Sequence, residues 1–135
     1  RVRSSAASDV YKRQPIGTVD LYLVTHHGMD ISNPRAIVDA IHPRVAIMNN
    51  GARKAGDPAA WQIVHDSPGL EDLWQIHTAE RSDATHNTSD ALTANLRGSV
   101  GTPADGAYLK VLASANGSFS ITNSRTGQTK EYLHK

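Results

Sequence analysis

Val19 to Gly28 reads Val-Asp-Leu-Tyr-Leu-Val-Thr-His-His-Gly, an apolar run that stops abruptly at two histidines and a glycine. Near-continuous apolar and β-branched residues from Thr18 to Thr25 predict a strand buried on both faces, as in a parallel sheet. Such a strand delivers the groups that follow it to a cleft at its carboxyl end. His26 and His27 are therefore the candidate site.

Working outward, Asn33-Pro34 reads as a helix start, with Asn33 as the cap and Ile37, Ala40 and Ile41 on one face before Pro43 ends the element. Arg44 to Asn49 is a second short buried strand. Strand, helix and strand make a βαβ unit, so the fold class is α/β with parallel pairing and a right-handed crossover. The loop Asn49 to Lys54 should open on the same side as the histidines. Asp57-Pro58 starts another helix bearing Trp61, Val64 and His65, and Ser67-Pro68-Gly69 breaks it.

Leu70 to Leu73 reads as one further turn, and Trp74 to Thr78 as a third strand. A polar loop covers Glu80 to Asp90, and Ala91 to Leu96 reads as a brief helix. Asn116-Gly117 between Tyr108–Ser114 and Ser118–Asn123 marks a hairpin, with a further strand at Lys130 to Leu133. This carboxyl-terminal antiparallel meander carries one apolar face, from Leu109, Val111, Phe119 and Ile121, which must pack on something. No linker separates it from the βαβ unit, so residues 15–135 form one domain.

Composition narrows the chemistry. With no cysteine among 135 residues, a metal would have to be held by histidines and carboxylates. The net charge of +1 comes from the first fourteen residues, which hold Arg1, Arg3, Lys12 and Arg13 against Asp9; the remaining ten cations and twelve anions give −2. No basic stripe indicates nucleic-acid binding, and no apolar run approaches a membrane span. Residues 1–14 have no period and resemble translated adaptor sequence, with a disordered tail as the other reading; they are set aside as a non-native leader.

The histidine pair alone leaves metal ligation, proton transfer and a structural loop open. Side chains alternate along a strand, so His26 and His27 are expected to start on opposite faces. Asp30 is placed to orient an imidazole or to sit in solvent. His42 suits a helix carboxyl end, where its ring favours the dipole. His65 and His86 lack partners at ligand spacing and His134 is terminal, while His77, Trp61 and Trp74 read as core or rim.

The stretch from Val19 through Pro43 to Gly51 resembles the carboxyl-terminal half of metallo-β-lactamase-fold hydrolases, in their competence-protein (ComEC-like) branch. There a strand ends in His-His-Gly, a loop with serine (here Ser32) and a helix follow, and a second strand begins after a proline, here Pro43. The resemblance implies the second half of an αββα sandwich and zinc as cofactor, with one or two ions activating water against an ester, phosphoester or amide-type bond. It implies His27 as a metal ligand and His26 as a catalytic neighbour at the substrate or leaving group. Asp30, Asn50 and Lys54 would lie on the outer or substrate side, with Arg53 and Lys54 beside an anionic substrate and the amides around Asn50-Gly51 facing developing negative charge; a surface turn with two solvated cations is the other reading.

The family's His-x-His-x-Asp-His loop has no counterpart here. The expectation is therefore a truncated fragment whose partner is the missing amino-terminal half of the same domain. Such a fragment would be inactive alone, with an apolar sheet face left uncovered. The alternative is a non-catalytic α/β binding or scaffold module in which the turn is structural. The substrate would be a small molecule, and the compartment stays open between bacterial cytoplasm and periplasm for a soluble chain.

Overall fold

The structure, a computed structural model, describes residues 17–98 and 106–135. The leader expected at 1–14 lies outside the described residues. Two sheets are present. The first is parallel, with β1 (Leu21–Leu23), β2 (Val45–Met48), β3 (Asp72–His77) and β4 (Thr93–Asn95) in that order; the second is antiparallel, with β5 (Leu109–Ala113), β6 (Phe119–Asn123) and β7 (Thr129–Tyr132). The fold is α/β, with the βαβ unit and the meander where the sequence places them.

Both α-helices among the described residues cover one face of the parallel sheet. They are α1 (Arg35–Ile41) and α2 (Pro58–His65). Val38, Trp61 and Val64 meet Val24, Ala46, Met48 and Leu73 in a first core. The alternate positions of the same strands, Val45, Ile47 and Trp74, point the other way and meet Phe119, Ile121 and Tyr132 of the meander. Period-two alternation thus builds two cores from one sheet. Fully burying an aliphatic side chain such as Val38 or Val64 contributes roughly 1.5–3 kcal/mol.

The meander is also tied by polar groups. Tyr132 donates its hydroxyl to Asp72 Oδ2 at 2.6 Å and accepts Trp74 Nε1–H at 2.9 Å. Burial and the Asp72 carboxylate raise the Tyr132 pKa, which keeps that hydroxyl protonated. Lys130 pairs with the same Asp72 at 2.6 Å. Arg44 donates to Glu71 at 2.7 Å and to the Leu133 carbonyl, fastening the chain's last strand to the amino end of β2.

Several expectations are corrected. The parallel sheet is not left bare on one face, because the meander covers its centre; among apolar residues near its edge Leu23 stays 61% exposed. The turn expected at Leu70 to Leu73 gives way to β3, which already begins at Asp72. The helix expected at Ala91 to Leu96 is a short 3-10 turn, Asp90–Leu92, followed by β4. That strand is polar but buried, and Asn95 explains it by donating to the Ile76 and Ala107 carbonyls at 2.9 and 2.8 Å. Asn33 does not cap α1; Pro34 is the cap residue, and the Asn33 side chain is buried elsewhere.

Candidate functional site

The His-His-Gly turn begins where β1 ends. Val24 N–H still bonds to Ile47 O at 2.9 Å, the last ladder contact, and Thr25–Gly28 then coil into a 3-10 turn. His26 (φ 52°, ψ 42°) and His27 (φ 59°, ψ 18°) are both left-handed, and Gly28 follows at φ 82°. Each non-glycine residue in that region costs about 1–2 kcal/mol. Such strain persists only where the surroundings over-determine it, and it concentrates at functional sites.

What holds the turn is visible carbonyl by carbonyl. His26 O accepts Met29 N–H at 3.1 Å, His27 O accepts Gly56 N–H at 3.1 Å, and Gly28 O accepts Asp57 N–H at 2.8 Å. The loop before α2 is therefore clasped against the turn, with Gly56 at φ 67°. A Cβ on Gly28 would come within 2.7 Å of Met48 Sδ, so glycine is required there by space as well as by φ. Asp57 spends its carboxylate on Asp30 N–H at 3.2 Å rather than on capping its own helix.

The left-handed backbone also breaks strand alternation. Instead of opposite faces, the two imidazoles have ring centroids 6.3 Å apart and tilted by 56°. His27 Nδ1 lies 3.1 Å from Asn49 O. A carbonyl cannot donate, so Nδ1 carries the hydrogen and neutral His27 presents a bare Nε2 lone pair. His26 Nδ1 shares a hydrogen with Ser32 Oγ at 3.0 Å. Both rings are exposed.

Asp30, expected beside an imidazole, does not touch one among its hydrogen bonds. Its Oδ1 accepts Ile31 N–H at 2.6 Å, and Ser32 and the Asn49 carbonyl orient the rings instead. Asn50 is 1% exposed; its Nδ2 donates to His77 O at 2.8 Å and its Oδ1 has no partner. It thus braces β2 against β3 beneath the loop. Gly51 N–H closes a turn onto Lys54 O at 3.0 Å, which removes that amide from any anion site. Lys54 itself is exposed, whereas Arg53 pairs with Glu80 at 3.0 Å.

The other histidines fall outside this turn. His42 takes a left-handed C-cap at α1, His65 stacks on Trp61 at 4.4 Å, and His86 meets the edge of Trp61 while pairing with Asp83 at 2.7 Å. Thr85 and His86 hold the Asp83 carboxyl down to about 2. His77 ends β3 with Nδ1 buried and unpartnered. Trp61 and Trp74 are both buried, as expected.

A catalytic zinc takes about three protein ligands. Among the described residues no group of three or more histidines, carboxylates or cysteines could hold a metal; what the described residues of this turn offer such an ion is the His27 lone pair. Sequence reasoning missed Tyr22, Asn33 and Asp57 as parts of the turn. The Asn-Pro signal was the clue to Asn33, but it points equally to a helix start. No known family model matches the chain, and neither curated proteins nor solved structures give a match. No helix among the described residues is long and apolar enough to cross a membrane.

Proposed function

We propose that the chain is the carboxyl-terminal half of a zinc-dependent hydrolase of the metallo-β-lactamase fold, with the His-His-Gly turn as one wall of its site. The observation that carries this reading is the His27 Nδ1–H bond to Asn49 O, which leaves Nε2 free to ligate. Fixing a ligand's tautomer through its other nitrogen is how proteins hold metal-binding imidazoles. The strained pair supports it further, because a purely structural turn would favour glycine or asparagine at φ near 55°.

In this reading His27 supplies one ligand and His26, oriented by Ser32, faces substrate or leaving group. Exposed Lys54 offers charge to an anionic ester or phosphoester. When bound, zinc supplies a water made acidic enough to ionise near neutrality. The remaining ligands come from the amino-terminal half of the domain, so the isolated chain is inactive.

An uninterrupted gene read through codon 15 tests this. The expected result is an upstream His-x-His-x-Asp-His loop, and a joined polypeptide that hydrolyses a phosphodiester or ester only while His27 is intact. An unrelated upstream domain, or turnover indifferent to His27→Ala, would leave the chain as a binding or scaffold module.

A further inference from the structure

We propose that Asn33, aligned by Tyr22, is the positioning residue that sets the orientation of the His26-His27 pair. Asn33 is completely buried, six residues beyond His27. Its Nδ2 donates to Thr25 O at 2.9 Å and to Met29 O at 2.7 Å. Those two carbonyls bracket the turn, one just before His26 and one just after Gly28. A single amide thus staples the two ends of the left-handed segment together.

The chemistry fixes which way this amide points. Both carbonyls only accept, so the NH₂ must face them and Oδ1 must face away. Tyr22 fills that other side, donating its hydroxyl to Asn33 Oδ1 at 2.9 Å. With its one hydrogen committed, the Tyr22 oxygen accepts from Thr25 Oγ1 at 2.8 Å and from Thr25 N–H at 3.2 Å. Strand β1, the residue that opens the turn and the loop that follows it are joined in one network.

Asparagine suits this place better than its neighbours in shape. Aspartate would set a carboxylate against two carbonyl oxygens, and alanine or leucine would remove both the donor that Thr25 O and Met29 O share and the acceptor of the Tyr22 hydroxyl hydrogen. Neither ring is touched by Asn33 in its hydrogen bonds. It acts through the backbone, and the rings follow the backbone to Ser32 and Asn49 O.

The inference rests on the reading of His27 as a ligand only for its zinc arm; the tautomer arm is independent. The test is the whole chain labelled with ¹⁵N-histidine, with ring tautomers read from two-bond ¹H–¹⁵N correlations. Tryptophan fluorescence and near-ultraviolet circular dichroism check that each variant is folded. Wild type is expected to show His27 as one Nδ1–H tautomer. Folded Asn33→Ala and Asn33→Asp should show mixed His27 tautomers and zinc affinity at His27 weaker by roughly 10–100-fold.

Tyr22→Phe keeps the amide but frees it to rotate, and should give a smaller shift of the same kind; it also carries the test should the Asn33 variants fail to fold. A single wild-type His27 tautomer in any folded Asn33 variant, or an unchanged one in Tyr22→Phe, overturns the proposal. Excess zinc that shifts another histidine of the wild-type chain ahead of His27, while the Asn33 variants scramble the His27 tautomer, upholds the staple and removes the reading of His27 as a ligand.

Discussion

Two tight turns in this molecule solve the same problem in opposite ways. The hairpin between β5 and β6 closes with Gly117 N–H to Ser114 O at 3.0 Å, and Gly117 itself takes the left-handed position at φ 84°. Asn116 Oδ1 accepts Ser118 N–H at 3.1 Å, so everything the turn needs lies within five residues. The turn after β1 puts histidines in two left-handed positions and recruits Asn33, Gly56 and Asp57 from elsewhere to hold them. One turn is locally sufficient, while the other is imposed by the fold, which is what a positioned functional group requires.

The sharpest way to break the comparison is to place the same methyl group in both turns. Gly28→Ala adds a left-handed side chain and drives it into the side chain of Met48, which is fully buried and has to shift within the core. The loss expected in urea denaturation is about 3 kcal/mol, strain and overpacking together. Gly117→Ala meets the His134 ring at 2.7 Å, but that residue is exposed near the chain end and can swing aside. Backbone strain alone then applies, about 1–2 kcal/mol. Equal losses in the two variants would mean that the turn after β1 is no more constrained than the hairpin.

A smaller effect of opposite sign sharpens the point. His26→Gly removes left-handed strain and sacrifices only an exposed bond to Ser32. Thermal unfolding should show stability raised by roughly 0.5–1 kcal/mol, the strain relief less the entropy of a glycine. A destabilised variant would show that the histidine is there for the fold.

The smallest expected effect comes from acid. Arg44, and after it Lys135, hold the Glu71 carboxyl down from 4.5 to about 2. A depressed folded-state pKa means that this stabilisation is present above the unfolded value and is lost as pH falls from about 4.5 towards 2. Glu71→Gln should flatten that part of the stability–pH curve. Since Glu71 belongs to the amino end of the sheet, the ranking of the two glycine variants should be the same in either background.

How far the sequence can be read follows the same division. Val19 to Asn49 announces its βαβ unit through apolar runs and a proline stop, and Asn116-Gly117 announces its hairpin, because both signals are local. β4 escaped notice because Thr93 and Asn95 are polar and owe their burial to backbone carbonyls, Thr93 to those of Thr88 and Ser89 and Asn95 to those of Ile76 on β3 and Ala107 ahead of β5. Asparagine was the general trap. Asn33 read as a helix cap, Asn50 as part of a loop, Asn95 as part of a helix and Asn123 as the end of a strand, yet each is almost wholly buried and donates to backbone carbonyls, from 4 residues away at Asn33 to 30 at Asn123. His26 and His27 were legible as the candidate pair. Their shared side of the strand was not, since period-two alternation holds only while the backbone stays extended.

The central claim is that the fold fixes His27 to present a bare Nε2. A histidine-selective ¹H–¹⁵N correlation spectrum of the unmodified chain, recorded before and after adding zinc, addresses it directly. The account predicts a single Nδ1–H tautomer for His27 and a zinc-induced shift at its Nε2 ahead of every other histidine. An Nε2–H or mixed tautomer would contradict the geometry, and a zinc-induced shift at another histidine ahead of His27 would contradict its role as a ligand.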